Sequence, residues 1–374
     1  MKTTNFFTRV TLAVALAAGI AFHSTVLADD ATYSVSVLGD LHYDAQAPEI
    51  FHGTNKAYYA GDEYRRNKAM WQEESPAILA ASAKCAGPDT AFVLQLGDII
   101  QGQTHTYAAH TQMLAAATSV LKETFPNLPV VTVVGNHDVL GRGGASKAYR
   151  DFMLPWLTKQ IAPLTTNAVT RTTFGFRHGP DLWIFIDFNN GAGSVPAVKK
   201  LLAGNPDARY TFVATHGPVL PMDIWKRRWF YLGGANLDKE RREMRALFAK
   251  RNAIVLSGHV HSLEYKDWYG DGGRITEMVL NSVPRYSKAL GKKPAVPRVS
   301  FDTPESYGMW LTNAPKDQAN IAFDALYEEY RPGLKARFAS QAVGHHVLRV
   351  SDAGVTLEYY GRDATEPTKV FTLR

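Results

Sequence analysis

The sequence predicts an α/β fold in which two β-sheets form a sandwich flanked by helices. Three observations carry that expectation. Five apolar runs of strand length (Tyr33 to Leu38, Ala91 to Leu96, Val130 to Val134, Tyr210 to Ala214, Ala253 to Leu256) each stop at a Gly, Thr or Ser beside a polar side chain, the pattern of short buried strands. Stretches rich in Ala, Leu and charged residues separate several of them and read as helices. Two further hairpin patterns, Thr172 to Asp187 and His346 to Tyr360, stand outside that series and supply a second sheet.

Taken in order, Tyr33 to Leu38 is the first buried strand and delivers Gly39-Asp40-Leu41-His42. Glu49 to Arg66, rich in Gly, Asn and Tyr without helical periodicity, is expected as a long loop on the active-site side. Asn67 to Lys84 is expected as one helix, with Met70, Ile78 and Leu79 among its apolar positions, stopped by Gly87-Pro88 before the strand that ends in Gly97-Asp98. Thr104 to Lys122 is a second helix, and its His105 and His110 lie away from the strand ends. Val130 to Val134 runs into Gly135-Asn136-His137-Asp138, which delivers an amide, an imidazole and a carboxylate to one strand end. Gly141-Arg142-Gly143-Gly144 then makes a glycine loop from which Arg142 could reach a bound phosphate.

Thr172 to Arg177 and Leu182 to Asp187 form the first hairpin, with Asp187 expected to be structural. A short helix over Val195 to Leu202 precedes the strand that ends in Thr215-His216-Gly217. Trp225 to Tyr231, aromatic and basic together, suits either a substrate groove or packing. Leu237 to Lys250 is a charged amphipathic helix, and Ala253 to Leu256 leads to Ser257-Gly258-His259-Val260-His261. Beyond Leu263 no ligand pattern recurs: Arg274 to Leu280 reads as a strand, Ser287 to Pro304 as an inserted loop and Gln318 to Tyr330 as a helix. His346 to Val350 and Val355 to Tyr360 pair through Ser351-Asp352-Ala353-Gly354 and are expected in the second sheet with the earlier hairpin. Residues 29–374 are therefore expected to be one domain, with 263–345 insertion and loops within it.

Of the 374 residues 45% are hydrophobic and 20% charged, which excludes disorder and leaves ample material for a core. Lys2 and Arg9, the apolar run Val10 to Phe22 and Val26-Leu27-Ala28 have the layout of a secretory signal peptide over residues 1–28. The apolar run is shorter than the roughly 20 residues a membrane span needs. The expected product is a soluble chain from Asp29, secreted or periplasmic and without membrane contact. Losing Lys2 and Arg9 takes the formal charge from +6 to +4, and no basic stripe with interleaved aromatics points to nucleic acid. Cys85, the only cysteine, excludes an internal disulfide and a Cys-rich zinc site.

Five strand ends carrying metal-ligand side chains predict one polar cluster, because sites in α/β sheets form outside the carboxyl ends of strands. Oxygen and nitrogen donors without thiolates suit Mn, Fe or Zn. The series Asp-x-His, Gly-Asp, Gly-Asn-His-Asp, His, Gly-His-x-His, from Asp40 to His261, resembles the calcineurin-like metallophosphoesterase superfamily. It departs from the family where an acidic residue or Asn often follows the Gly-Asp; here Ile99-Ile100-Gln101 follows. The resemblance implies an α/β/β/α sandwich of two mixed sheets and two divalent or trivalent transition-metal ions (Mn, Fe or Zn). It assigns Asp40, His42 and His261 to the first ion, Asn136, His216 and His259 to the second, and Asp98 as the bridge. It makes His137 the general acid or phosphoryl-stabilising group, with Asp138 orienting it. The implied activity is hydrolysis of a small phosphomonoester or phosphodiester by metal-activated water.

Three rivals are weighed. A two-domain 5'-nucleotidase relative is disfavoured because the residues after His261 are few for a second domain. A purple acid phosphatase is disfavoured because Gln101 stands where that family has a metal-binding Tyr. A non-catalytic phosphate- or metal-binding protein on the same fold is disfavoured because all seven ligand positions and His137 are filled.

Overall fold

The computed structural model describes residues 31–45, 48–53, 62–221, 230–283, 326–340 and 342–374. Strand β1 (Tyr33–Leu38) shows how the layers arise from sequence. Its side chains alternate in direction, as a pleated strand requires. Tyr33, Val35 and Val37 enter one apolar cluster, whereas Ser36 faces the other way and bonds the hydroxyl of Ser82 at 3.0 Å. β2 (Thr90–Gln95) and β3 (Val130–Thr132) follow on one side, parallel to β1. β11 (Gly344–Ser351), β12 (Gly354–Gly361) and β13 (Lys369–Thr372) continue on the other side, antiparallel, in the order β13-β12-β11-β1-β2-β3.

The second sheet has the order β10-β8-β9-β7-β6-β5-β4. Its centre is parallel: β5 (Asp181–Ile186), β6 (Thr211–Thr215), β7 (Ile254–Ser257) and β9 (Gly273–Val279). β4 (Phe174–His178) pairs antiparallel with β5, as do β8 (Leu263–Gly270) with β9 and β10 (Leu334–Ser340) with β8. Both sheets are mixed.

Three apolar clusters separate four layers. One lies between the sheets, with Val35, Leu94, Phe185, Phe212 and Leu348 among its members. A second packs the first sheet against α2 (Asp62–Glu73), α3 (Ser75–Cys85), α4 (Tyr107–Thr124) and α5 (Ala145–Ile161), through Met70, Leu79, Met113 and Met153. A third packs the second sheet against α6 (Val195–Ala203) and α7 (Asp238–Lys250), through Val198 and Phe248. The fold is the expected α/β/β/α sandwich. No helix among the described residues is long and apolar enough to cross a membrane.

Several elements differ from the expectation. The helix read over Asn67 to Lys84 is two helices, parted at Glu74 just ahead of Pro76, which stands in the first turn of the second helix, where its missing N–H costs no hydrogen bond. Within Glu49 to Arg66, Pro48–His52 is a short helix, α1, and α2 begins at Asp62. Helix α5 was not expected; it carries Pro155 in its interior yet buries Ala145, Tyr149, Met153, Leu157 and Ile161 at a spacing of four. Between residues 263 and 345, read as insertion and loops, β8, β9 and β10 are integral to the second sheet. The hairpin β11-β12 joins the first sheet and not the second, because Leu348 opposes Val35 and extends the same buried face. Phe230 and Tyr231 are core residues, while Trp225 to Trp229, Ser287 to Pro304 and residues 1–28, expected as a signal peptide, lie outside the described residues. Of the helix expected to Tyr330, residues 326–330 are described and helical.

Candidate metal centre

Five parallel strands, β1, β2, β3, β6 and β7, end in turns that aim side chains at the same point. Asp40 and His42 follow β1, Asp98 follows β2, and Asn136 to Asp138 lie beyond β3 around a single 3-10 turn, His137–Val139. From the other sheet, His216 follows β6, and His259 and His261 follow β7. Four of these residues hold left-handed backbone: His42 (φ 48°), Asp98 (φ 51°), His259 (φ 70°) and His261 (φ 51°). Such a conformation costs a non-glycine residue about 1–3 kcal/mol and persists where the surroundings impose it. Two motif glycines make the convergence possible. A Cβ at Gly135 would overlap Oδ1 of Asp98, and one at Gly258 would overlap Oδ1 of Asp40.

Two groups of donors result, and one carboxylate stands between them. In the first, Asp40 Oδ2 is 2.9 Å from His261 Nε2 and 3.6 Å from His42 Nε2, and the two imidazole nitrogens are 3.0 Å apart. In the second, His216 Nε2 is 2.9 Å from His259 Nδ1 and 3.2 Å from Asn136 Oδ1. Asp98 Oδ2 is 3.2 Å from His216 Nε2 and 3.7 Å from His42 Nε2. Both aspartates and His42, His216 and His259 are buried.

The donor chemistry fits a cation. His216 Nδ1 lies 2.8 Å from the carbonyl of Leu96 and donates its proton there, so in a neutral ring Nε2 is an acceptor. It faces two more oxygen acceptors, Asp98 and Asn136, and acceptors converge on one point only around a proton or a metal ion. Burial opposes a charge on His216, but Asp98 and Asp40 outweigh it and lift the imidazole to about 9. Burial would raise Asp98, yet His216 and His137 hold its carboxyl well below the usual carboxylate range. A bound cation would replace that proton. Asp40, His42 and His261 could hold one ion; Asn136, His216 and His259 could hold another, with Asp98 available to both.

The structure thus brings together all seven expected ligands. His137 is there too. Its main-chain N–H donates to Asp98 Oδ1 at 2.7 Å, its ring packs edge-on against His42, and it forms a third donor group with His42 and Asp98.

The expected role of Asp138 is corrected. Its oxygens accept the main-chain N–H groups of Asp98 (2.9 Å), Gly135 (2.8 Å) and Ile100 (3.3 Å), which fastens two strand-end turns to each other. The ring of His137 is oriented instead by the carbonyl of Gln101, 2.7 Å from Nδ1. Burial and the neighbouring Asp98 push the Asp138 carboxyl up to about 7. Arg142 is exposed, its main-chain N–H bonded to the carbonyl of Thr104, and no bond joins it to the cluster among the described residues.

Other expectations off the cluster hold in their geometry. His110 is spent between Thr104 Oγ1 and the carbonyl of Asp138. Asp187 accepts the N–H groups of Asn189 and Asn190 as a turn cap. The residue after it was missed: Phe188 packs on the rings of His216 and His259, with centroids 5.8 and 5.1 Å away. Its only sequence signal is its place at the end of β5, the neighbour of β6.

Residues 33–263 match the family model of calcineurin-like phosphoesterases. Among curated proteins none matches the chain. Two solved structures share the fold. One is described as GAP50, the anchor in the inner membrane complex of Plasmodium (TM-score 0.50, 13% identity, 92% of this chain and 89% of that one). The other is PhoD (TM-score 0.51, 13% identity, 91% of this chain and 68% of that one).

Proposed function

The chain belongs to the calcineurin-like phosphoesterase family, and from that premise we propose that it is a dinuclear-metal hydrolase of phosphoric esters. One observation carries the dinuclear reading: Asp98 Oδ2 lies within 3.2 to 3.7 Å of an imidazole from each donor group. Asp40, His42 and His261 would hold one ion and Asn136, His216 and His259 the other, with Asp98 available to both. Ions so held supply positive charge to phosphoryl oxygens and acidify water.

The protein's own groups do the rest. The carbonyl of Gln101 accepts a hydrogen bond from Nδ1–H of His137, so the protonated ring presents Nε2–H to the departing oxygen of the ester. Asp138 keeps the turns of Asp98 and Gly135 in register, so His137 and the shared carboxylate stay at a fixed separation. Phe188 covers the His216 and His259 side with apolar surface.

The test is hydrolysis of alkyl and nitrophenyl phosphoesters, mono- and di-, by protein reconstituted with Mn, Fe or Zn. Wild type is expected to turn over at least one class, and His137→Gln to keep its metals. Proton donation is worth roughly 100- to 10,000-fold and matters least for nitrophenolate. The variant's loss in kcat/KM is therefore expected to be larger on alkyl esters. Equal losses would make His137 an electrostatic clamp, and an inert wild type would return the chain to a binding role.

A further inference from the structure

Helix α2 is tied to the ligand loops on successive turns. Trp71 Nε1 donates to the carbonyls of Leu41 and His42, at 3.0 Å each. One turn earlier Asn67, fully buried, donates Nδ2 to Oε1 of Gln101, the residue whose carbonyl orients His137. Arg66 is next to it. Its Nε donates to Asn67 Oδ1 at 3.4 Å, and the side chain is half-buried. Arg66 is therefore linked through Asn67 to Gln101, and through the carbonyl of Gln101 to His137.

A cation in that position works against every other cation the cluster could hold, and it favours an anion. Two carboxylates do not neutralise two divalent ions, so a guanidinium beside them widens a positive surplus. A dianionic phosphomonoester meets that surplus better than a monoanionic diester does. Guanidinium is also the group whose forked donors match phosphoryl oxygens. Arg142, the cation nearest to the motifs in sequence, has no such tie to the cluster.

We propose that Arg66 is a substrate-binding residue that pairs with non-bridging oxygens of a phosphomonoester dianion and makes monoesters the preferred class at this site. The inference rests on the hydrolase reading above, and its test separates the two. Metal-reconstituted wild type, Arg66→Ala and Arg66→Lys are titrated with inorganic phosphate by calorimetry. They are also assayed on nitrophenyl phosphate and bis(nitrophenyl) phosphate, with metal content measured for each.

Arg66→Ala is expected to bind phosphate about tenfold more weakly or worse, the loss of a charge-assisted hydrogen bond. Its kcat/KM is expected to fall at least about tenfold further on the monoester than on the diester, with Arg66→Lys in between, because an ammonium keeps the charge and loses the fork. Unchanged phosphate affinity overturns the proposal. Equal losses on the two esters overturn the monoester preference. Metal loss in both variants overturns it as well, by making Arg66 a support of the ligand loops. If wild type hydrolyses neither ester, the hydrolase reading fails, and the phosphate titration alone decides for or against Arg66 as an oxyanion contact.

Discussion

At Gly135 there is no room for a methyl group, since a Cβ would overlap both Oδ1 and the main-chain N of Asp98. Gly135→Ala is therefore expected to push the shared carboxylate out of place, lowering metal content and costing about 1–3 kcal/mol of stability, as overpacking commonly does. Asp98→Ala removes the same carboxylate without crowding. It is expected to keep the fold and lose more than one of the proposed two ions. Elemental analysis with urea unfolding distinguishes them, and full metal content in Asp98→Ala would remove that residue from its shared role. The ligands themselves were legible in sequence, because a Gly, Thr or Ser at a strand end followed by Asp or His is a local pattern. Asp138 was visible as a carboxylate, but nothing local says whether its oxygens take an imidazole or three main-chain N–H groups. Phe188 and Gln101 meet partners distant in sequence, His216 and His259 for the one and His137 for the other, and no local pattern discloses such pairings.

Among the elements, β8 was the hardest to foresee. Glu264 and Lys266 are fully buried in it and paired at 2.5 Å, so a strand inside the protein reads as charged. Glu277 on the adjacent β9 is buried with them and accepts the N–H groups of Val219 and Leu220 in the loop after His216. Burial pushes its carboxyl from 4.5 up to about 7, despite Lys266 and those two donors. The folded state then holds this proton more tightly than the unfolded chain does. Its contribution to stability is full below about pH 4.5 and is lost as pH rises through 7. Glu277→Gln cannot titrate, so between those limits the variant is expected to gain on wild type by up to about 3 kcal/mol. Urea unfolding at a series of pH values reads that difference; parallel profiles would show that Glu277 does not titrate there. Helices α2 and α3 show the opposite case. Their helicity was legible from residue 67 onward, and Pro76 takes the first turn of α3, a position that suits proline.

At the scale of the whole molecule, the family match ends at residue 263, yet the first sheet is not complete until β13. Leu348, Val350, Val355, Leu357, Phe371 and Leu373 from the last strands all enter the cluster between the sheets. Burying six such side chains contributes roughly 1.5–3 kcal/mol apiece, which matches or exceeds the ~5–15 kcal/mol net stability of a typical fold. A chain cut after Ser340 is expected to show no cooperative melting by circular dichroism and no stoichiometric metal; a cooperative melt would mean that residues 31–340 fold alone. The two-sheet sandwich was legible from strand runs and hairpins, but the home of the last hairpin was not, since both sheets offer it the same apolar layer. The division of the ligands, four from the first sheet and three from the second, has one more consequence. No fragment owns the set, so an ion bound as proposed is a rivet across the sandwich that the unfolded chain cannot grip. By mass action, each tenfold rise in free metal above its dissociation constant then adds about 1.4 kcal/mol per ion to stability, and the supply of metal around the protein sets how hot it can run.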